Sequence, residues 1–119
     1  LMPDFHNPTG RTMPPEQRER LQHLAAAHGT VLLIDETMSE LGFDRAEQPE
    51  PFAVGSAERG ASVITVGSVG KSIWGGVRLG WIRADRDLIT RFAHARLAGD
   101  LGSPILEQLV LLRLLEQYD

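Results

Sequence analysis

The chain has 119 residues, 42% of them hydrophobic and 24% charged, which suffices for one small globular domain and excludes disorder over most of its length. Its formal charge of −4 is spread over interspersed acids and bases, which argues against nucleic-acid binding by these residues themselves. The absence of cysteine excludes a disulfide framework and thiolate metal sites, and no apolar run approaches the roughly 20 residues needed to cross a bilayer, so a soluble, cytoplasmic protein with no membrane partner is expected.

In chain order, Leu1 to Phe5 reads as the end of a strand, followed by the turn formers Asn7-Pro8-Thr9-Gly10. From Pro15 a helix is expected, with Leu21, Leu24, Ala25 and His28 on its inner face, Arg18, Glu19 and Gln22 turned away, and Gly29 as its C-terminal cap. Thr30 to Ile34 is a short run rich in branched residues, the pattern of a strand buried on both faces and closed by Asp35. A loop is expected over Asp44 to Pro51. A strand over Ser62 to Val66 then leads into Gly67-Ser68-Val69-Gly70-Lys71, and another spans Val77 to Arg83 with Leu79, Trp81 and Ile82. Helical patterns resume from Asp85 through Leu97 and from Pro104 through Tyr118, where Leu106, Leu109, Val110 and Arg113 recur at helical spacing. The chain starts at Leu1 and stops at Asp119 directly after this apolar pattern, so residues 1–119 are expected to be an internal fragment of a longer domain.

Buried strands alternating with an amphipathic helix argue for an α/β fold with a largely parallel sheet, and such sheets bind ligands at the carboxyl ends of their strands. Asn7, Asp35 and the stretch from Ser68 to Lys71 each follow a predicted strand. Three polar groups far apart in the chain are therefore expected to meet at one edge.

An ionised carboxylate at the end of an apolar strand is costly unless a cation or a hydrogen-bond donor faces it, although a lone aspartate of this kind also serves as a helix cap or surface turn. Lys71 follows a glycine-flanked turn and precedes Ile73-Trp74. Among apolar groups a lysine loses its proton more readily and becomes a nucleophile toward carbonyls, whereas a lysine taken alone is more often simply solvated. A rival reading of Gly67 to Ser72 as a nucleoside-triphosphate loop fails, because its pattern needs glycine where Thr65 stands. The histidines, His6, His23, His28 and His94, lack the spacing of a zinc site, and no metal is indicated.

Taken together, Asn7-Pro8-Thr9-Gly10, the strand-end Asp35, Gly67-Ser68-x-x-Lys71, Arg78 and Leu79-Gly80 resemble the class I and II aminotransferases of fold type I, whose cofactor is pyridoxal 5'-phosphate. The wider phrases PDFHNPTG, GSVGKSIWGGVRLGWIRA and SPILEQLVLLRLL resemble the aminotransferase-like domain of MocR-type transcriptional regulators of the GntR family. The resemblance implies that the chain is part of the large cofactor-binding domain, with Lys71 as the catalytic residue that forms an imine with the cofactor aldehyde and later carries protons. It implies that Asp35 accepts a hydrogen bond from the protonated pyridine nitrogen, keeping the ring cationic so that it draws off the electron pair left at the substrate Cα. Asn7, with the Asn7–Pro8 bond expected cis, donates to the phenolic oxygen, while Ser68 and Arg78 hold the phosphate, the arginine through its forked guanidinium. Gly67, Gly70, Gly75 and Gly76 are expected to let the backbone turn tightly around the cofactor, or to be plain turn residues.

The sequence departs from that pattern in two places. Many members carry tyrosine three residues after the aspartate as a second donor to the phenolic oxygen; here Met38 stands there and cannot donate, which raises the expected pH at which the imine loses its proton. Gly70 stands where serine commonly precedes the lysine. The main phosphate cup, the ring-stacking aromatic and the arginine for the substrate carboxylate lie in segments the family places upstream and downstream, so apolar surface is expected to be uncovered and the segment poorly soluble by itself.

Two functions fit. In the first, the domain binds the cofactor or its adduct with an amino acid or amine, shifts conformation, and passes the shift to an N-terminal winged-helix domain that alone contacts DNA. In the second, the protein is a free-standing aminotransferase moving an amino group between an amino acid and a 2-oxo acid. Either implies a homodimer whose neighbour completes the site.

Overall fold

The computed structural model describes residues 1–42 and 49–117. Its elements are α1 (Pro15–Ala27), β1 (Leu32–Asp35), β2 (Val63–Ser68), the single turn α2 (Val69–Ser72), a 3₁₀ turn (Gly75–Val77), β3 (Gly80–Arg83), α3 (Arg86–Arg96) and α4 (Ile105–Leu115). The expected loop from Asp44 lies outside the described residues as far as position 48, as does the expected helix end at Tyr118.

The sheet has the order β1-β2-β3. Leu32 to Asp35 run parallel to Val63 to Val66, while Thr65 to Ser68 pair antiparallel with Gly80 to Arg83. The sheet is thus parallel in its first pair and antiparallel at its third strand. The segment at Leu1 extends the parallel part: the Asp35 N–H donates to the Leu1 carbonyl at 2.7 Å and the Leu1 nitrogen donates to the Leu33 carbonyl at 2.8 Å. Those two bonds flank Ile34 in the manner of parallel strands. The strand expected over Leu1 to Phe5 amounts to this one pairing, because the chain bends by Asp4.

Helix α1 starts at Pro15, whose missing N–H is no loss in a first turn, and ends before Gly29, which takes φ 60° as a C-terminal glycine should. Its inner face differs from the one expected: Arg18, Gln22 and Ala25 are buried, whereas Leu24 and His28 are exposed. The reason is that the helix packs against polar backbone. Gln22 Nε2 donates to the carbonyls of Phe52 at 2.6 Å and Val54 at 3.2 Å, and Arg18 Nη1 donates to that of Glu50 at 2.9 Å. These bonds draw in the stretch after Pro51 and drive Phe52 into a core with Ile34, Ala61 and Val63. Burying that ring contributes about 1.5–3 kcal/mol.

The expectation that β1 is buried on both faces also fails within this chain. Ile34 is fully buried beneath α1, but Leu33, on the other face, is 56% exposed. A smaller core of Val69, Val77 and Leu79 is touched by Leu111 of α4. That helix turns Leu111 inward and leaves exposed Leu106, Leu109 and Val110, the residues that recur at helical spacing.

Candidate functional site

Because β1 and β2 are parallel, their last residues, Asp35 and Ser68, leave the sheet at the same edge, and because β3 is antiparallel it begins there. Lys71 lies in the turn of α2 directly after β2, and Arg78 stands two residues before β3. Asn7 lies in the turn that follows the Leu1 segment, itself aligned parallel to β1. The structure therefore brings Asp35, Ser68, Lys71 and Arg78 to one edge of one sheet, with Asn7 in the loop that follows the segment paired beside β1.

Each is held by local backbone chemistry. Asp35 Oδ1 accepts the Thr37 N–H at 2.9 Å, an Asx turn that fixes the half-buried carboxylate, and among the described residues no group donates to Oδ2. Ser68 caps α2, its Oγ accepting the Gly70 N–H at 3.3 Å, which leaves the hydroxyl proton available. Arg78 sits at φ 52° between the buried Val77 and Leu79, whose anchoring turns the arginine side chain outward. The Val69 N–H donates to the Leu79 carbonyl at 3.0 Å and so binds the turn carrying Lys71 to the one carrying Arg78. The Asn7–Pro8 bond is cis, and the Asn7 side chain is exposed.

Two expectations change. Lys71 is exposed rather than enclosed by apolar groups, since Ile73 and Trp74 beside it are themselves 42% and 68% exposed. The glycines divide: Gly70, Gly75 and Gly76 lie in short turns without positive φ, whereas Gly67 lies within β2 and does not turn the chain. A Cβ at Gly67 would lie 2.2 Å from the Trp81 ring and one at Gly76 would lie 2.4 Å from the Trp74 ring, so both make room for indoles.

Sequence reasoning missed Gly80 and a set of buried polar groups. A Cβ at Gly80 would meet the Gly67 carbonyl oxygen at 2.8 Å, a backbone contact between strands with no flexible atom to yield. Asp4, Arg18, Gln22 and Glu36 are all buried, and Glu36 Oε1 accepts the Phe52 N–H at 2.7 Å. The polar stripe Arg18, Gln22 on a helix beside an apolar one was the available clue. A cavity of about 740 Å³ between α1 and the stretch after Pro49, and another of about 640 Å³ between β3 and α3, both lie away from Asp35, Lys71 and Arg78.

Chemically, the edge offers a carboxylate with an open oxygen, an ammonium, a guanidinium, a hydroxyl and a carboxamide. Such a set can hold a flat ligand that carries a cationic ring nitrogen, a carbonyl and an oxyanion.

Comparison with known proteins identifies the family and the fold. The family described as aminotransferase class I and II matches residues 2–114. The HTH-type transcriptional regulator NorG of Staphylococcus aureus is 32% identical over 121 residues, covering 100% of this chain and 26% of the regulator. The 2-aminoadipate transaminase of Thermus thermophilus is 31% identical over 117 residues, covering 98% of this chain and 30% of the transaminase. In structure, the chain is similar to LysN, an alpha-aminoadipate aminotransferase of Thermus thermophilus solved with N-(5'-phosphopyridoxyl)-L-leucine. The TM-score is 0.86 at 32% identity, over 98% of this chain and 30% of that one. The chain thus spans less than a third of the length of these relatives.

Proposed function

The chain belongs to the aminotransferase class I and II family, and from that premise we propose that residues 1–119 are an internal part of a large domain that binds pyridoxal 5'-phosphate at the sheet edge of Asp35, Ser68, Lys71 and Arg78. What supports the reading is that β1, β2 and the approach to β3 deliver these residues to the same edge of the sheet, and that among the described residues nothing donates to Asp35 Oδ2. Their chemistry fits each polar part of the cofactor. Bound there, the cofactor supplies an electron sink conjugated to its carbonyl carbon. Asp35 holds the proton on the ring nitrogen, Asn7 donates to the phenolic oxygen, and Ser68 and Arg78 clamp the phosphate. Lys71 would be the residue that holds the cofactor at its carbonyl group and that carries a proton to or from the substrate Cα.

At the level of the whole protein, the domain is read as the effector-sensing part of a MocR-type regulator that takes an amino acid or amine, works as a homodimer in the cytoplasm, and contacts DNA through a separate N-terminal domain. Likeness to NorG supports this, and so does Met38, which withholds the second donor that efficient transamination uses. A second reading, a free-standing aminotransferase acting on an amino acid and a 2-oxo acid, is supported by likeness to the Thermus thermophilus transaminase.

The test is to incubate the full-length protein with pyridoxal 5'-phosphate, reduce with borohydride and map the modified peptide. Labelling at Lys71 is expected; labelling elsewhere, or none, defeats the proposal. A basic helix-rich segment upstream and sequence-specific DNA binding with negligible amino transfer decide for the regulator, and the reverse result decides for the enzyme.

A further inference from the structure

Between α1 and the loop of residues 3–13 lies a buried ion pair that the proposed function does not use. Asp4 is 2% exposed and Arg18 8% exposed, and the guanidinium meets both carboxylate oxygens, with Nη2 on Oδ1 and Nη1 on Oδ2, the latter at 3.4 Å. Arg18 Nε also donates to the Met13 carbonyl at 3.0 Å. One side chain of α1 thereby grips the loop of residues 3–13 on its entering side at Asp4 and on its leaving side at Met13. At the base of the loop the Met13 N–H donates to the Pro3 carbonyl at 2.7 Å.

Within that grip the loop is cross-linked by its own short bonds. The Phe5 N–H donates to Thr12 Oγ1 at 3.3 Å, the His6 N–H to the Arg11 carbonyl at 2.9 Å, and the Gly10 N–H to the His6 carbonyl at 2.6 Å. The residue after Asp4, Phe5, sits at φ 42°, a conformation a non-glycine side chain keeps only where its surroundings impose it. Two anchors bear on it: Arg18 holds Asp4, and Thr12 Oγ1 accepts the Phe5 N–H itself. From Phe5 the chain runs two residues to Asn7, whose side chain is exposed and whose N–H donates to Met2 Sδ at 3.3 Å.

We infer that the Asp4–Arg18 pair is a positioning device that sets the direction of Asn7 toward the cofactor's phenolic oxygen, so that a charge pair buried between α1 and the loop it grips governs protonation at the site. The inference rests on the reading of Asn7 given above. Bidentate geometry is what makes it directional: a fork of fixed N–H groups fixes the carboxylate's orientation, whereas a lysine ammonium would fix only its charge. A well-aimed Asn7 stabilises the ionised phenolic oxygen and weakens its hold on the neighbouring imine proton, so misalignment raises the pH at which that proton is lost.

The test uses the full-length, cofactor-loaded protein and reads the pH midpoint of the bound cofactor's visible absorbance, with thermal unfolding as a folding control. Asn7→Ala sets the reference and should raise the midpoint; if it does not, the reading of Asn7 fails and the inference with it. Arg18→Lys keeps the charge and removes the fork. The double variant Asp4→Leu/Arg18→Met replaces the pair by apolar groups, an exchange that often preserves folding. Both should raise the midpoint, by less than Asn7→Ala. In an Asn7→Ala background Arg18→Lys should add nothing, because it acts through Asn7. A folded Arg18→Lys or double variant with an unchanged midpoint, or full additivity with Asn7→Ala, overturns the inference while leaving the Asn7 reading in place.

Discussion

Ser68 and Gly80 stand opposite each other across the antiparallel pair of β2 and β3, and the bond from the Val69 N–H to the Leu79 carbonyl continues that pairing at the candidate site. The residue that caps the turn of Lys71 and the strand that begins after Arg78 are thus one paired unit, and a shift of β3 against β2 would change the spacing between the Ser68 hydroxyl and the Arg78 guanidinium.

Gly80→Ala tests that unit. The added Cβ would come within 2.8 Å of the Gly67 carbonyl oxygen, and both atoms belong to paired backbone, so the strands must separate. Overpacking of this kind costs about 1–3 kcal/mol. The denaturation midpoint of the full-length protein should fall and cofactor binding should weaken with it; an unchanged midpoint would show that the strands can relax freely.

Arg78→Gly separates the phosphate clamp from the fold. Glycine adopts the left-handed conformation at φ 52° without penalty, so the backbone gains while the guanidinium is lost. A hydrogen bond to a charged group contributes about 1.5–3 kcal/mol, so cofactor affinity should drop about tenfold to a hundredfold, measured by equilibrium titration, with stability maintained or raised. Arg78→Lys should fall between, having the charge without the fork.

Thr65→Val should stabilise the protein. Thr65 is 1% exposed in the middle of β2, and its Oγ1 has no hydrogen-bond partner among the described residues. Valine keeps the branched shape and removes a stranded hydroxyl whose burial costs about 1–3 kcal/mol. A higher unfolding temperature is expected, and a lower one would point to a partner for that hydroxyl in the rest of the protein.

What was legible in the sequence was whatever local chemistry decides. The Gly29 cap, the strand ending at Asp35 and the turns at Asn7 and Lys71 depend on neighbours along the chain, and all appear where expected. Their meeting at one edge followed from the general behaviour of α/β sheets. The inner face of α1 was not legible because apolar spacing pointed to Leu24, whereas Arg18 and Gln22 are drawn in by Asp4 and by the carbonyls of Glu50, Phe52 and Val54, all distant in sequence. The direction of β3 and the open sides of β1 and α4 likewise depend on tertiary neighbours, which no periodicity encodes.

Met38→Tyr bears most directly on the choice between regulator and enzyme. Met38 is half-buried in the turn after β1, three residues beyond Asp35, and the Asx turn from Asp35 Oδ1 to Thr37 fixes the course of the chain leading to it. A phenol there would add a donor toward the cofactor's phenolic oxygen, the same oxygen assigned to Asn7. One net hydrogen bond contributes about 1 kcal/mol, which corresponds to a fall of about 0.7 pH unit in the midpoint of the visible absorbance. If amino transfer between an amino acid and a 2-oxo acid rises in parallel, the native methionine is restraining chemistry in a domain that otherwise holds the parts for it. If the midpoint falls and transfer stays negligible, protonation is not what limits the reaction, and the function lies in binding. An unmoved midpoint would mean that position 38 does not face the cofactor, and the argument from methionine toward a regulator would be withdrawn.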